Sequence, residues 1–392
     1  MRIPSSYAAG YEKARVSTPE LADRYMRHTM IGDPVLDDVI RSLEDLSPEQ
    51  VEEHISALLH GDVNGSRRAP ESLRRFFRDI ETLPDWYRDK NVLPGCNVFH
   101  KHSDLFLTAF VASVIIRGFT TLISLSFFAT GRVIDYGVRR LRQNIAHLLE
   151  IMLPGGLDPR GDGWRLSIRI RLVHAQIRKL FAESGEWNTA AHGIPLSSAH
   201  IGYAAASFSA MMLREAMRLG VRATAEERAS FMHIWRCSAW LMGVPDAMLF
   251  RNEKDALEIV RVSLACEPPY EDESIVMANA LINSAPIVIG ITDKRARAKV
   301  AKLGYRLARA LLGHDTADRL RFPKYATLGL LPYLRTMRRL RHFMRRSSPR
   351  ASSSMRLTNF GALLDATVLE DSSGGFSYNL PDHYVADRAA KW

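Results

Sequence analysis

The chain reads as all-α, one large helical bundle with an extension at each end. Three observations predict this: apolar residues recur at helical spacing, capping signatures are frequent, and alternating strand-like runs are few. The expected layout is an N-terminal helical extension over 1–82, a main helical domain over 83–345, and a linker with a C-terminal tail over 346–392. The last boundary rests on Arg346 to Ser354, a Ser/Arg-rich stretch with one proline.

Ser47-Pro48-Glu49-Gln50 combines an N-cap, a proline suited to the first helical position and a capping-box partner. Val51, Ile55, Leu58 and Leu59 then share a face, and Gly61 stops the helix. Pro70-Glu71 opens another, carrying Leu73, Phe76, Phe77 and Ile80, which Leu83-Pro84 closes. From Val133 to Met152 the apolar positions follow the helical period, and the turn-rich run Pro154 to Gly163 breaks the chain. A helix containing His174 follows, running to about Phe181. Further helices are expected at Ser197 to Leu219, Ala225 to Met242, Lys254 to Cys266, Glu271 to Ser284 and Asp293 to Leu312. The fourth residue of Thr224-Ala225-Glu226-Glu227 completes a second capping box.

Over 392 residues, 46% hydrophobic and 24% charged residues describe a folded globular chain rather than a disordered one. Leu105 to Ala129 is apolar for long enough to raise a membrane span, which needs about 20 residues. Arg117 near its middle is costly in lipid, and Gly118 and Thr120-Thr121 follow, so the stretch reads as buried core helices. Cys96, Cys237 and Cys266 are odd in number and show no C-x-x-C or C-x-x-C-H spacing, which argues against a disulfide framework, a zinc site and covalent haem attachment. With no apolar export signal in Met1 to Val16, the expected location is cytoplasmic.

The formal charge of +10 suits anionic partners, though much of the excess lies in Arg335 to Arg346. Met337, Leu340, Phe343 and Met344 interleave with the arginines there, as in a basic amphipathic helix resting peripherally on a membrane; a solvated tail is the alternative. No nucleic acid is expected as a partner, because no repeated aromatic motif accompanies the charge. His100 and His102 flank Lys101 without a third ligand at a telling spacing, and Ser197-Ser198 with His200 form no nucleophile elbow.

His174 is the residue with the most unusual neighbours. On a helix, Arg171 and Arg178 lie three before and four after it on the same stripe. Two guanidiniums would disfavour an imidazolium and keep the ring neutral, the form that ligates iron. They also match a pair of carboxylates, and a haem brings both requirements together: an axial nitrogen for iron and cationic partners for two propionates. Spacing alone equally allows a core histidine satisfied by backbone, with arginines facing solvent or a nearby acid.

Ordered motifs extend this. Leu83-Pro84-Asp85-Trp86, Thr130-Gly131-Arg132-Val133, Arg139-Arg140-Leu141-Arg142-Gln143-Asn144, Pro154-Gly155-Gly156-Leu157 and Arg169-Ile170-Arg171-Leu172-Val173-His174-Ala175-Gln176-Ile177-Arg178 occur in this order. Gly193-Ile194-Pro195-Leu196, Trp235 and Leu241-Met242-Gly243-Val244-Pro245 follow. Over roughly Leu83 to Leu249 the chain resembles the latex clearing protein and MpaB group of haem-b oxygenases, the rubber oxygenase catalytic domain. The resemblance implies a helical bundle enclosing haem b, with His174 as the proximal ligand to the iron. Arg171 and Arg178 would hold propionates or orient the ligand, and Arg140 would lie near the haem, at a propionate or in the distal pocket. A solvated face is the alternative for Arg140, since Arg139 and Arg142 are equally charged.

The sequence departs from the family on the distal side. The family's E-T pair is Gln143-Asn144 here, and rubber-cleaving members place a lysine and a threonine there with an upstream acid; the corresponding upstream position is Ser124. Gln143 and Asn144 can hydrogen-bond oxygen or peroxide but cannot act as general bases near neutral pH. The departure argues against rubber cleavage itself. The reading is then a haem-b oxygenase or peroxygenase, using dioxygen or peroxide on an apolar substrate of terpenoid, polyisoprenoid or natural-product type. Arg140, Gln143 and Asn144 would be its catalytic-side residues, and parts of Leu105 to Phe128 and Ala204 to Met212 its pocket walls or simply core. The alternative is a non-catalytic haem-binding or partner-binding helical protein that lacks the distal acid.

Overall fold

The structure is a computed structural model that describes residues 1–88, 91–129 and 137–337, with all side chains among them except those of Arg88, Phe128, Ala129, Arg139 and Arg140. The described residues fold as helices and connecting turns, with no strand among them. The Pro48–His60 helix carries the expected capping box at Ser47 and Gln50, and Glu71–Glu81 buries Leu73, Phe76, Phe77 and Ile80 as their spacing requires.

The histidine helix, Asp162–Ser184, is the longest described and extends three residues past Phe181. It packs against Pro34–Arg41, Gly137–Ile151 and Ala225–Leu241. The turn joining it to Gly137–Ile151 depends on Gly156, where a Cβ would come within 2.0 Å of the Glu150 carbonyl oxygen. That close approach folds the two helices against each other. Ser167, seven residues before His174 and so on the same stripe, meets His147 of the Gly137–Ile151 helix, Oγ to Nε2 at 2.9 Å.

Two expected helices are built differently. The Ser197 to Leu219 run divides into Ser198–Ala206, a π-helical turn at Ser207–Met211, and Met212–Leu219. The apolar stretch from Leu105 likewise contains a π-helical turn, Phe110–Val114, between Ser103–Ala109 and Ile115–Phe119, before Ile123–Ala129. The two π turns pack together, Phe110 meeting Phe208 edge-on at 5.1 Å between ring centroids. The widened turn leaves no simple spacing signal, which is why Ser197 to Leu219 reads as one helix in the sequence.

No single helix among the described residues is long and apolar enough to cross a membrane; Leu93–Lys101 and Ser103–Phe119 pass that test only together and are bent by 84°. Arg117 is half-buried in protein, Nε donating to Ser113 Oγ at 3.4 Å and Nη2 to the Leu311 carbonyl at 3.4 Å. Burial lowers its pKa from the usual arginine value. Cys96, Cys237 and Cys266 are buried free thiols, pushed up by burial, Cys96 to about 11 and Cys266 to about 12.

The first 40 residues pack on the core. Ala8–Ser17 and Pro19–His28 pack on Glu253–Cys266, and Pro34–Arg41 packs on the histidine helix. Tyr7, Tyr25 and Met26 are buried in the same hydrophobic cluster as Trp164 and Trp235.

Candidate functional site around His174

His174 is half-buried and borders a crevice with Gly32, Asp33, Leu196, Ser198, Ile201, Met242 and Gly243. Arg171 and Arg178 border the same crevice, as the stripe geometry predicts. Their partners are protein carboxylates. Arg171 holds Asp33 at two points, Nε to Oδ2 at 2.5 Å and Nη2 to Oδ1 at 3.0 Å, and lies over the Phe76 ring at 5.1 Å. Arg178 donates Nε and Nη2 to Asp37 Oδ1 at 2.8 and 2.7 Å, and Nη1 to the Leu196 carbonyl at 3.1 Å.

A nearby acid, the alternative that spacing allows, is present for both arginines. Asp33 and Asp37 balance the charge of the two guanidiniums beside His174. The local cause is a helix start. Asp33 caps Pro34–Arg41, accepting from the Leu36 amide at 3.2 Å, and Pro34 stands at the first turn, so the helix presents Asp33 and Asp37 together. Burial raises the Asp33 carboxyl, but the hydrogen bonds and charge of Arg171, with the Leu36 amide and Arg178, outweigh it and hold the group below its ordinary value.

A strap of backbone fixes this arrangement. The Ile194 amide donates to the Thr29 carbonyl at 2.8 Å, and the Ser198 amide donates to the Ile31 carbonyl at 2.7 Å. Gly243 closes the opposite side at φ +82°, where a Cβ would lie 2.5 Å from Asp33 Oδ2 and 2.6 Å from Arg171 Nε. The crevice itself holds about 10 Å³, space for one water-sized group.

Behind the crevice wall, the Ser198–Ala206 helix carries His200 into a buried polar network. Tyr7 Oη lies 2.9 Å from His200 Nε2, which is 3.2 Å from Glu267 Oε1. Tyr25 Oη donates to the same carboxylate oxygen at 2.6 Å, and the Leu122 amide donates to Glu267 Oε2 at 2.8 Å. Burial first, then the Glu267 charge, pushes both tyrosine hydroxyls well above their usual range. Neither Glu267 nor the tyrosines stood out in the sequence, since a single acid before Pro268-Pro269 carries no periodic signal.

Gln143 and Asn144 are half-buried on Gly137–Ile151, the helix packed against that of His174. Their helix also carries His147, whose pKa burial lowers to about 4. Arg140 belongs to this helix, but its side chain and the whole Thr130-Gly131-Arg132-Val133 turn lie outside the described residues. Ser124 is buried, its hydroxyl 2.9 Å from the Thr121 carbonyl and 3.1 Å from Ser274 Oγ. His100 places Nε2 2.8 Å from the Met152 carbonyl, and no cluster of three or more metal-ligating side chains occurs among the described residues.

The helical fold has a solved counterpart. It is similar to the structure of latex clearing protein LCP in the closed state, with a TM-score of 0.67 and 19% identity, over 90% of this chain and 95% of that one. Residues 99–347 match the family model described as ER-bound oxygenase mpaB/B'/Rubber oxygenase, catalytic domain, and the chain belongs to that family. It is also similar to the rubber oxygenase of Streptomyces sp. (strain K30), 27% identical over 185 residues. That match spans 45% of this chain and 44% of the relative, less than half the length of either.

Proposed function

We propose that the protein is a haem-b-dependent oxygenase or peroxygenase, with His174 as the residue that would hold the iron, acting on an apolar substrate. The observation that carries this is the half-buried His174 within the family-matched region, on a helix fixed from both sides by ion pairs. The donor set suits haem better than a bare ion. A zinc-type centre needs three or four protein ligands, which the described residues do not assemble, whereas a porphyrin brings its own four nitrogens and asks for one imidazole.

When bound, the haem would supply dioxygen or peroxide activation. The chain's own residues supply position. Arg171–Asp33 and Arg178–Asp37 hold the turns on either side of His174, so that its ring has a fixed bearing. Gln143 and Asn144 offer neutral amides on the neighbouring helix, able to donate to an oxygen atom without removing a proton from substrate. Apolar residues on the two π-turn segments are the proposed substrate walls.

The test is the visible spectrum of the purified chain. A Soret band that shifts or disappears in His174→Ala, with circular dichroism unchanged, supports the reading. Absence of any band after haem reconstitution would overturn it. Because Ser124 meets Ser274 and Gln143-Asn144 bear no charge, a haem-binding chain without turnover is the second reading, distinguished by product formation from terpenoid substrates with dioxygen or peroxide.

A further inference from the structure

A second concavity shares no residue with the His174 crevice. It has a volume of about 460 Å³, within the range of small-ligand sites, and is lined by Arg214, Arg218, Arg222, Arg228 and Arg335 together with Glu253, Met217 and Val221. Sequence reading gave no hint of it. Arg214 and Arg218 come from Met212–Leu219, Arg222 from the turn after it, Arg228 from Ala225–Leu241, and Arg335 from the start of the basic C-terminal run.

Among the described residues, two carboxylates answer these five cations. Arg228 places Nε and Nη2 at 2.9 and 2.6 Å from Glu253 Oε2, while the buried Glu215 lies 2.6 Å from Arg218 and 3.8 Å from Arg214. Three positive charges are left over. In a concave site their fields add instead of being dispersed into solvent. Two of the guanidiniums are held in place by backbone carbonyls. Arg218 donates to the Leu311 carbonyl at 2.8 Å and the Ala310 carbonyl at 3.0 Å, and Arg335 donates through Nε to the Arg218 carbonyl at 2.6 Å. Among the described residues, the terminal nitrogens of Arg335 and the side chain of Arg222 have no ion-pair or hydrogen-bond partner. A guanidinium fork matches the oxygen geometry of a phosphoryl group, and that of Arg335 is held ready by its Nε bond.

We propose that this pocket binds the phosphate or diphosphate group of an organic ester, whose carbon part rests on Met217 and Val221. A phosphomonoester carries about −1.5 to −2 at neutral pH and a diphosphate more, which matches the surplus charge. The same chemistry is offered by a soluble ester and by the headgroup of an anionic lipid.

Calorimetric titration of the full chain with inorganic diphosphate at low salt tests the soluble source. Flotation with phosphatidylcholine vesicles, with and without phosphatidic acid, tests the lipid source. Saturable diphosphate binding, weakened about tenfold by Arg222→Ala and further by Arg222→Glu, is the expected result. Vesicle binding that requires phosphatidic acid, is competed by diphosphate and is lost in Arg222→Glu assigns the site to a headgroup. Thermal unfolding of each variant verifies that it is folded. No saturable binding in either arm, or binding indifferent to Arg222→Glu and Arg214→Ala, overturns the proposal.

Discussion

Arg171 and Asp33, separated by 138 residues, meet in a buried two-point ion pair beside His174. Removing one partner leaves the other charged and dry. Asp33→Ala should therefore cost about 3–5 kcal/mol in urea unfolding, whereas the double variant Asp33→Leu/Arg171→Met should recover most of that loss. Equal destabilisation in single and double variants would show that the pair contributes no coupling. The pH dependence has a definite sign. The folded carboxyl lies below its ordinary 3.8, so its contribution is complete above the usual carboxylate range and lost as pH falls through the depressed value.

His147 predicts a second pH window. Its folded value of about 4 lies below the ordinary 6.5, so the unfolded chain binds a proton first as pH falls. Stability should be full above 6.5 and decline towards 4, by about 3 kcal/mol in total. Denaturant midpoints measured across this range should flatten in His147→Phe. An unchanged slope would assign the pH dependence to other groups.

Gly243→Ala tests the packing opposite the strap. The left-handed φ of +82° strains any L side chain, and the new methyl would press on Asp33 and Arg171. A loss of about 2–4 kcal/mol is expected, above the 1–3 kcal/mol of backbone strain alone, because the ion pair is displaced as well. Thermal unfolding within 1 kcal/mol of the wild type, about the scale of one ordinary hydrogen bond, would contradict this.

Glu267→Gln retains the shape of the buried network while removing its charge. Tyr25, the Leu122 amide and His200 all address that carboxylate, so a loss of about 2 kcal/mol is expected, with faster proteolysis within the first 28 residues. Tyr7→Phe, which removes only the hydroxyl near His200, should cost about 1 kcal/mol. Cleavage rates identical to the wild type would separate the network from N-terminal docking.

Local structure was legible where one short run of sequence decides it. Ser47-Gln50 and Thr224-Glu227 form the capping boxes their spacing announces, and Phe76, Phe77 and Ile80 turn inward together. The stripe Arg171, His174, Arg178 was legible for the same reason. What faces the stripe was not. Asp33 and Pro34 mark a helix start in any sequence, but nothing local says that the carboxylate it presents will meet an arginine far along the chain. The five-arginine pocket is hidden in the same way, because its residues come from separate elements and share no motif.

The docking of Ala8–Ser17 and Pro19–His28 on Glu253–Cys266 fixes an order of events during biosynthesis. Tyr7, Tyr25 and Met26 emerge early, while Glu267 and the Glu253–Cys266 helix they pack on are made more than 200 residues later. At ribosomal speeds the interval is roughly 10–50 s, far longer than a helix takes to form. The N-terminal helices must wait with an apolar face exposed, and His174 acquires its final surroundings only when they return. In cells short of holding chaperones, the yield of correctly assembled protein should therefore fall before the stability of the finished molecule does.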